Sequence, residues 1–241
     1  MSGRRLIMQE RNVVRVGRRA FLRSGILIGG LAGAGLGSLY AAEEKKEEEV
    51  SPAEDLMREH GVLKRVLLIY DEAIRRIGAN QELPMETVAD SANIIRSFIE
   101  DYHEKLEENF LFPRFEKAGK LVDLVKTLRE QHQAGRRVTD LTLSLTKQRV
   151  LKDSAERAKF VESLRQFVRM YSPHEAREDT VLFPEFRKIV SSNEYDSLGE
   201  EFEDKEHELF GEDGFEKMVD KVAGIEKKLG IYNLAQFTPT I

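Results

Sequence analysis

The feature that most constrains this chain is an internal repeat carried on a helical periodicity. His103-Glu104-Lys105-Leu106-Glu107-Glu108 runs on to Leu111-Phe112-Pro113-Arg114-Phe115. Seventy-one residues later, His174-Glu175-Ala176-Arg177-Glu178-Asp179 runs on to Leu182-Phe183-Pro184-Glu185-Phe186. Upstream, Glu59-His60 with Arg65-Val66 is echoed at an offset of 72 by Gln131-His132 with Arg137-Val138. Any two amphipathic helices can share an apolar stripe by chance; His, two acids, Leu-Phe-Pro and Phe in one register is a duplication. From Ser51 onward apolar residues recur at three- and four-residue spacing with little alternation, which predicts helix throughout. Helix A opens at Ser51-Pro52, a cap residue followed by Pro in the first turn, and closes at Gly78-Ala79-Asn80. Helix B runs from about 84 to 117, C to about 147, D over roughly 154–190, and E from Ser191-Ser192-Asn193 to near Gly230. The predicted fold is all-α: an up-down-up-down four-helix bundle made of a duplicated two-helix hairpin, A–B and C–D, with an additional C-terminal helix.

Composition narrows the chemistry. Among 241 residues there is no Cys, which excludes disulfides, iron–sulfur clusters, thiolate zinc sites and cysteine nucleophiles. A 41% hydrophobic fraction is enough for a core. The net charge of −5 hides an asymmetry. Residues 1–41 carry seven Arg against the single acid Glu10, and the remainder carries 31 basic and 42 acidic residues. So acidic a body repels phosphate backbones, so no nucleic-acid partner is expected.

The basic end reads as an address. Arg18-Arg19-Ala20-Phe21-Leu22-Arg23, followed by an uncharged Gly-, Leu- and Ile-rich stretch, resembles a twin-arginine export signal. Residues 1–41 are therefore expected to be a signal peptide or anchor, 42–51 a charged linker, 52–230 the bundle and 231–241 a tail. Cleavage after Ala41 would put Leu39, which is not small, at a specificity position. Retained, residues 24–41 would attach the protein to the inner membrane. The expected location is the periplasm or beyond, reached by the twin-arginine route.

The chain has five histidines, at 60, 103, 132, 174 and 207. Counted from the turns near 81, 118 and 153, His60 and His103 lie 21 and 22 residues away, His103 and His132 15 and 14, and His132 and His174 21 each. Equal counts mean equal heights in antiparallel helices of equal rise. Four helices thus bring one imidazole each to one layer. Glu107 and Glu178 follow His103 and His174 by four residues, on the same helix face. Carboxylates on an inward stripe are costly to bury unless a cation neutralises them. Imidazoles with two such carboxylates suit a pair of transition-metal ions, among which iron, copper, zinc and nickel all accept imidazole. The Pro of each Leu-Phe-Pro segment is expected to bend its helix around the site.

Over about residues 52–210 the chain resembles the hemerythrin family, in its bacterial branch named for a His, His, Glu cation-binding pattern. The resemblance rests on His60, on His103-x-x-x-Glu107, on His132 and on His174-x-x-x-Glu178. It implies a non-haem di-iron centre of two iron ions, with terminal His ligands and with Glu107 and Glu178 as the bridging carboxylates. Two departures stand out: Arg136 occupies the place of a second helix C histidine, and the last motif is His-x-x-x-Glu rather than His-x-x-x-x-Asp. His207, about as far from the D–E turn as His174, is the expected source of the missing imidazole. The resemblance implies binding of oxygen or a related diatomic such as nitric oxide, for storage, scavenging or sensing, with a redox partner the sequence does not identify. Two alternatives stay open. One is a di-iron oxidase, peroxidase or nitric-oxide or iron-repair protein. The other is a structural bundle with zinc or no metal.

Overall fold

A computed structural model describes residues 50–147 and 153–240. The arginine-rich segment, the apolar stretch after it and most of the charged linker lie outside those residues. Among the described residues there is no strand, and the chain forms six helices.

Helix α1 is Pro52–Gly78, and its first turn is capped by the Ser51 hydroxyl, which accepts from the Glu54 N–H. Helix α2 spans 85–118 and ends at Gly119, whose φ of 63° lets Lys120 N–H reach back to the Phe115 carbonyl. Helix α3 is Val122–Thr146. Helix α4 spans 154–189, with the Asp153 carboxylate accepting from the Glu156 N–H at its start. These four match the expected bundle: α1 packs along α4, α4 along α3, and α3 along α2. The core is a continuous set of apolar side chains from every helix, including Val66, Tyr70, Phe98, Phe112, Phe167 and Phe183.

At the two Leu-Phe-Pro segments, where bends are expected, the structure shows a widened turn. Immediately after each candidate bridging carboxylate the helix widens by one residue per turn, over Glu107–Leu111 in α2 and Glu178–Leu182 in α4. There the Phe112 and Phe183 N–H groups reach back five residues, to the carbonyls of Glu107 and Glu178. The wide turn precedes Pro113 and Pro184, whose rings would otherwise press on the preceding turn and which supply no N–H. The duplication therefore preserves a backbone irregularity as well as side chains.

The expected single helix E is two helices, α5 (Ser192–Phe210) and α6 (Gly214–Leu229). The break falls at Gly211, with φ 71° and ψ −175°, and at Asp213, with φ 59°. The Glu206 carboxylate turns back across the corner and accepts from the Phe215 N–H at 2.8 Å. A side chain at Gly214 would collide with Glu206 and Phe210, so glycine is required there. Helix α5 then packs on α1, and α6 lies across α1 and α2. No helix among the described residues is long and apolar enough to cross a membrane.

Candidate metal centre

Six of the seven expected ligands meet in the middle of the bundle. His60 comes from α1, His103 and Glu107 from α2, His132 from α3, and His174 and Glu178 from α4; all six are buried. The imidazoles form two pairs, His60 with His103 at 4.7 Å between ring centres and His132 with His174 at 5.1 Å. Each carboxylate spans the pairs. Glu107 Oε2 lies 3.8 Å from His103 Nε2 and 3.4 Å from His132 Nε2. Glu178 lies 3.1 Å from His174 Nε2 and 3.4 Å from His60 Nε2. All four Nε2 atoms thus face the two carboxylates.

The other nitrogen of each ring is held from outside. His60 Nδ1 pairs with Asp179 at 2.7 Å, His103 Nδ1 with Glu59 at 2.7 Å, His132 Nδ1 with Glu108 at 3.1 Å, and His174 Nδ1 with Gln131 at 2.8 Å. With an acceptor at each Nδ1, the proton of a neutral ring is held there and the Nε2 lone pair is directed inward. These four supports carry the duplication one layer out, since Glu59 corresponds to Gln131 and Glu108 to Asp179. The repeat contained that signal as the residue before each first-helix His and the residue after each Glu, but the spacing alone gave them no role.

His207 does not join the cluster. It is exposed on α5, while its neighbour Glu206 takes the inward position beside Asp55 and Glu59. The expected fifth imidazole is therefore absent from the layer, because equal distance from a turn fixes height along a helix and not the direction a residue faces.

Arg136 fills the place of the second helix C histidine differently. Its guanidinium pairs with Glu104 at 2.6 Å and Glu108 at 2.8 Å, and the Tyr171 hydroxyl donates to Glu104 at 2.6 Å. Gly135 makes that possible. A Cβ there would strike the Tyr171 ring and hydroxyl. On the opposite side, the duplicated position Lys64 pairs with the buried Glu175 at 2.8 Å.

The electrostatics describe a centre built for positive charge. Burial, then the facing Glu178 charge, pushes the Glu107 carboxyl well above its ordinary range. Burial acts the same way on Glu178 but is outweighed by His174 and His60, which hold it well below. For His60, burial is outweighed by Asp179 and Glu178, and the ring is raised to about 9. Burial, reinforced by the neighbouring His60, lowers His103 well below its ordinary value. Both oxygens of Glu107 and of Glu178, together with His132 Nε2, are buried without a hydrogen-bond partner. Such orphaned acceptors are rare in folded proteins and expensive, and cations between the carboxylates would satisfy all of them at once. Two overlapping ligand groups, His60–His103–Glu107 and Glu107–His132–His174–Glu178, have donor atoms close enough for a cation each.

With this geometry in place, comparison with known proteins decides the family. The hemerythrin HHE cation-binding domain matches the chain twice, over residues 51–150 and 123–229. The chain belongs to the hemerythrin HHE family. The two matches start 72 residues apart, the spacing of the repeat. An uncharacterized protein of Mycobacterium bovis and uncharacterized proteins of two Mycobacterium tuberculosis strains are each 53% identical over 196 residues, covering 81% of this chain and 77% of theirs. No solved structure matches the chain significantly. Family membership and the buried His/Glu cluster together make this a metal-binding helical protein.

Proposed function

We propose that this hemerythrin-family chain is exported and holds two iron ions between Glu107 and Glu178, where it binds oxygen or a related diatomic such as nitric oxide. The observation that carries the reading is that each carboxylate faces one imidazole of its own helix and one from another helix. A single ion would need only one such carboxylate. Bound there, two irons would supply a redox-active pair able to take a diatomic ligand. The protein's own contribution is to position and exclude. Phe112 stacks on His132 and Phe183 on His60 at 5.5 Å each, so the ligand rings are walled by aromatics that keep bulk water and protons from the pair. The test is anaerobic iron loading followed by admission of oxygen or nitric oxide. The expected result is a reversible change in visible absorption that depends on both carboxylates. Loaded protein that is spectroscopically indifferent to both gases would reject the reading.

The export half of the proposal is supported by the order of Arg18, Arg19, Phe21 and Leu22. Changing both arginines to Lys keeps the charge but removes the paired guanidinium groups, and should leave the precursor in the cytoplasm. Efficient export of the double-Lys protein would refute it.

A further inference from the structure

The four ligand rings are related by the duplication, but their supports are not equivalent. On the His60–His103 side both Nδ1 atoms face carboxylates, Asp179 and Glu59. Glu59 is itself completely buried and lies in a group with two more buried acids, Asp55 and Glu206. On the His132–His174 side the corresponding groups are weaker. Glu108 spreads its charge over Arg136 at 2.8 Å and Lys105 at 2.6 Å, and His174 is held by the neutral amide of Gln131.

A carboxylate behind an imidazole pulls on its Nδ1 proton and makes the inward nitrogen a stronger donor; an amide oxygen does so less. This favours the His60–His103 pair of rings, which has a carboxylate behind both Nδ1 atoms.

We propose that the two cation positions are unequal, and that the position between His60 and His103 fills first and holds its ion more tightly. This rests on the two-ion reading above and goes beyond it by assigning Glu59 and Gln131 as the positioning residues that set the difference. It implies that the ion between His132 and His174 is the one more readily lost or exchanged.

Calorimetric titration of the metal-free full chain with Zn2+ tests it without reference to activity. The expected wild-type result is two binding steps separated by about 10-fold or more. Glu59→Gln, which keeps shape and removes charge, should weaken the tighter step by about 10- to 100-fold and leave the weaker one nearly unchanged. Gln131→Glu should strengthen the weaker step and draw the two together. Equal steps in the wild type would overturn the inference, as would Glu59→Gln leaving the tighter step intact. So would Gln131→Glu strengthening the tighter step. In each of those cases two ions still bind and the two-ion reading survives. Saturation at one ion per chain in every protein would instead overturn that reading, and this inference with it.

Discussion

In the first hairpin the residue ahead of the α1 imidazole is the acid Glu59, and in the second its counterpart is the amide Gln131, yet each holds the ring of its partner helix. Four residues past those imidazoles the first hairpin has Lys64, 59% exposed at the side chain, and the second has Arg136, 21% exposed. Beside Arg136 stand Gly135 and Tyr171; beside Lys64 the position matching Gly135 is Leu63. The inward atoms, the widened turn that starts at each bridging carboxylate and the proline that follows it are the same in both halves, whereas the widening over Ile95–His103 belongs to the first half alone and Pro173 to the second. The duplication has therefore kept what faces the centre and let what stands behind it diverge. Ligand geometry is fixed by the shared chemistry, whereas the surrounding layer is free to give each half its own charge and seal.

The strongest way to break this comparison is to remove what the halves share. Glu107→Ala or Glu178→Ala should abolish binding of the second ion. Each should also cancel most of the thermal stabilisation by added metal, which is about 2.7 kcal/mol per bound ion at free ion 100 times Kd. Without metal Glu107→Ala should be no less stable than wild type, since it removes a buried carboxylate that burial and the facing Glu178 charge already disfavour. Melting curves with and without metal would show the two opposite effects. Equal metal-dependent shifts in wild type and variants would mean that these carboxylates are not the bridges.

Next come the groups that differ. Arg136→Ala leaves the buried Glu104 and the half-buried Glu108 without their guanidinium, and should cost about 3 kcal/mol in denaturant unfolding. Lys64→Ala should cost under about 1 kcal/mol, because the ammonium is largely in water and its attraction is screened. Burial raises both the Glu104 and the Glu175 carboxyl, so the contrast between the two variants rests on the exposure of the two cations. Similar losses from the two variants would show that the halves are sealed alike.

Gly135→Ala sharpens the contrast at smaller scale. Helix propensity alone favours Ala by about 1 kcal/mol. The collision with Tyr171 should reverse the sign and give a net loss of about 1–3 kcal/mol, with the Tyr171–Glu104 hydrogen bond displaced. A stabilised variant would mean that Tyr171 moves aside freely.

The smallest effect is expected outside both halves. His207→Ala should change stability by less than about 0.5 kcal/mol and leave the metal content unaltered, as for an exposed residue away from the centre. Loss of an ion in that variant would require α5 to turn its other face inward.

These contrasts also mark what could be read from the chain itself. Ser51 caps its helix where the sequence expects it, because capping is local chemistry written in adjacent residues, and Asp153 and Ser191 cap the helices that follow them in the same way. The common layer of four imidazoles followed from counting to the turns, because rise per residue is constant. Azimuth is not given by counting, which is why His207 could be placed at the right height and yet face solvent. The corner at 211–214 was missed because it depends on the Glu206 carboxylate reaching Phe215 N–H across the turn. The supports Glu59, Glu108, Gln131 and Asp179 were visible as repeated letters, but each acts on a ring of a different helix. Only packing reveals which.

The most direct test of the shared centre is anomalous diffraction at the iron edge from iron-loaded crystals of the protein. The expected result is two iron peaks per chain, one beside His60 and His103 and the other beside His132 and His174, with Glu107 and Glu178 reaching both. A single peak per chain, or iron bound at Glu104 and Glu108 instead, would contradict a site built jointly by the two hairpins.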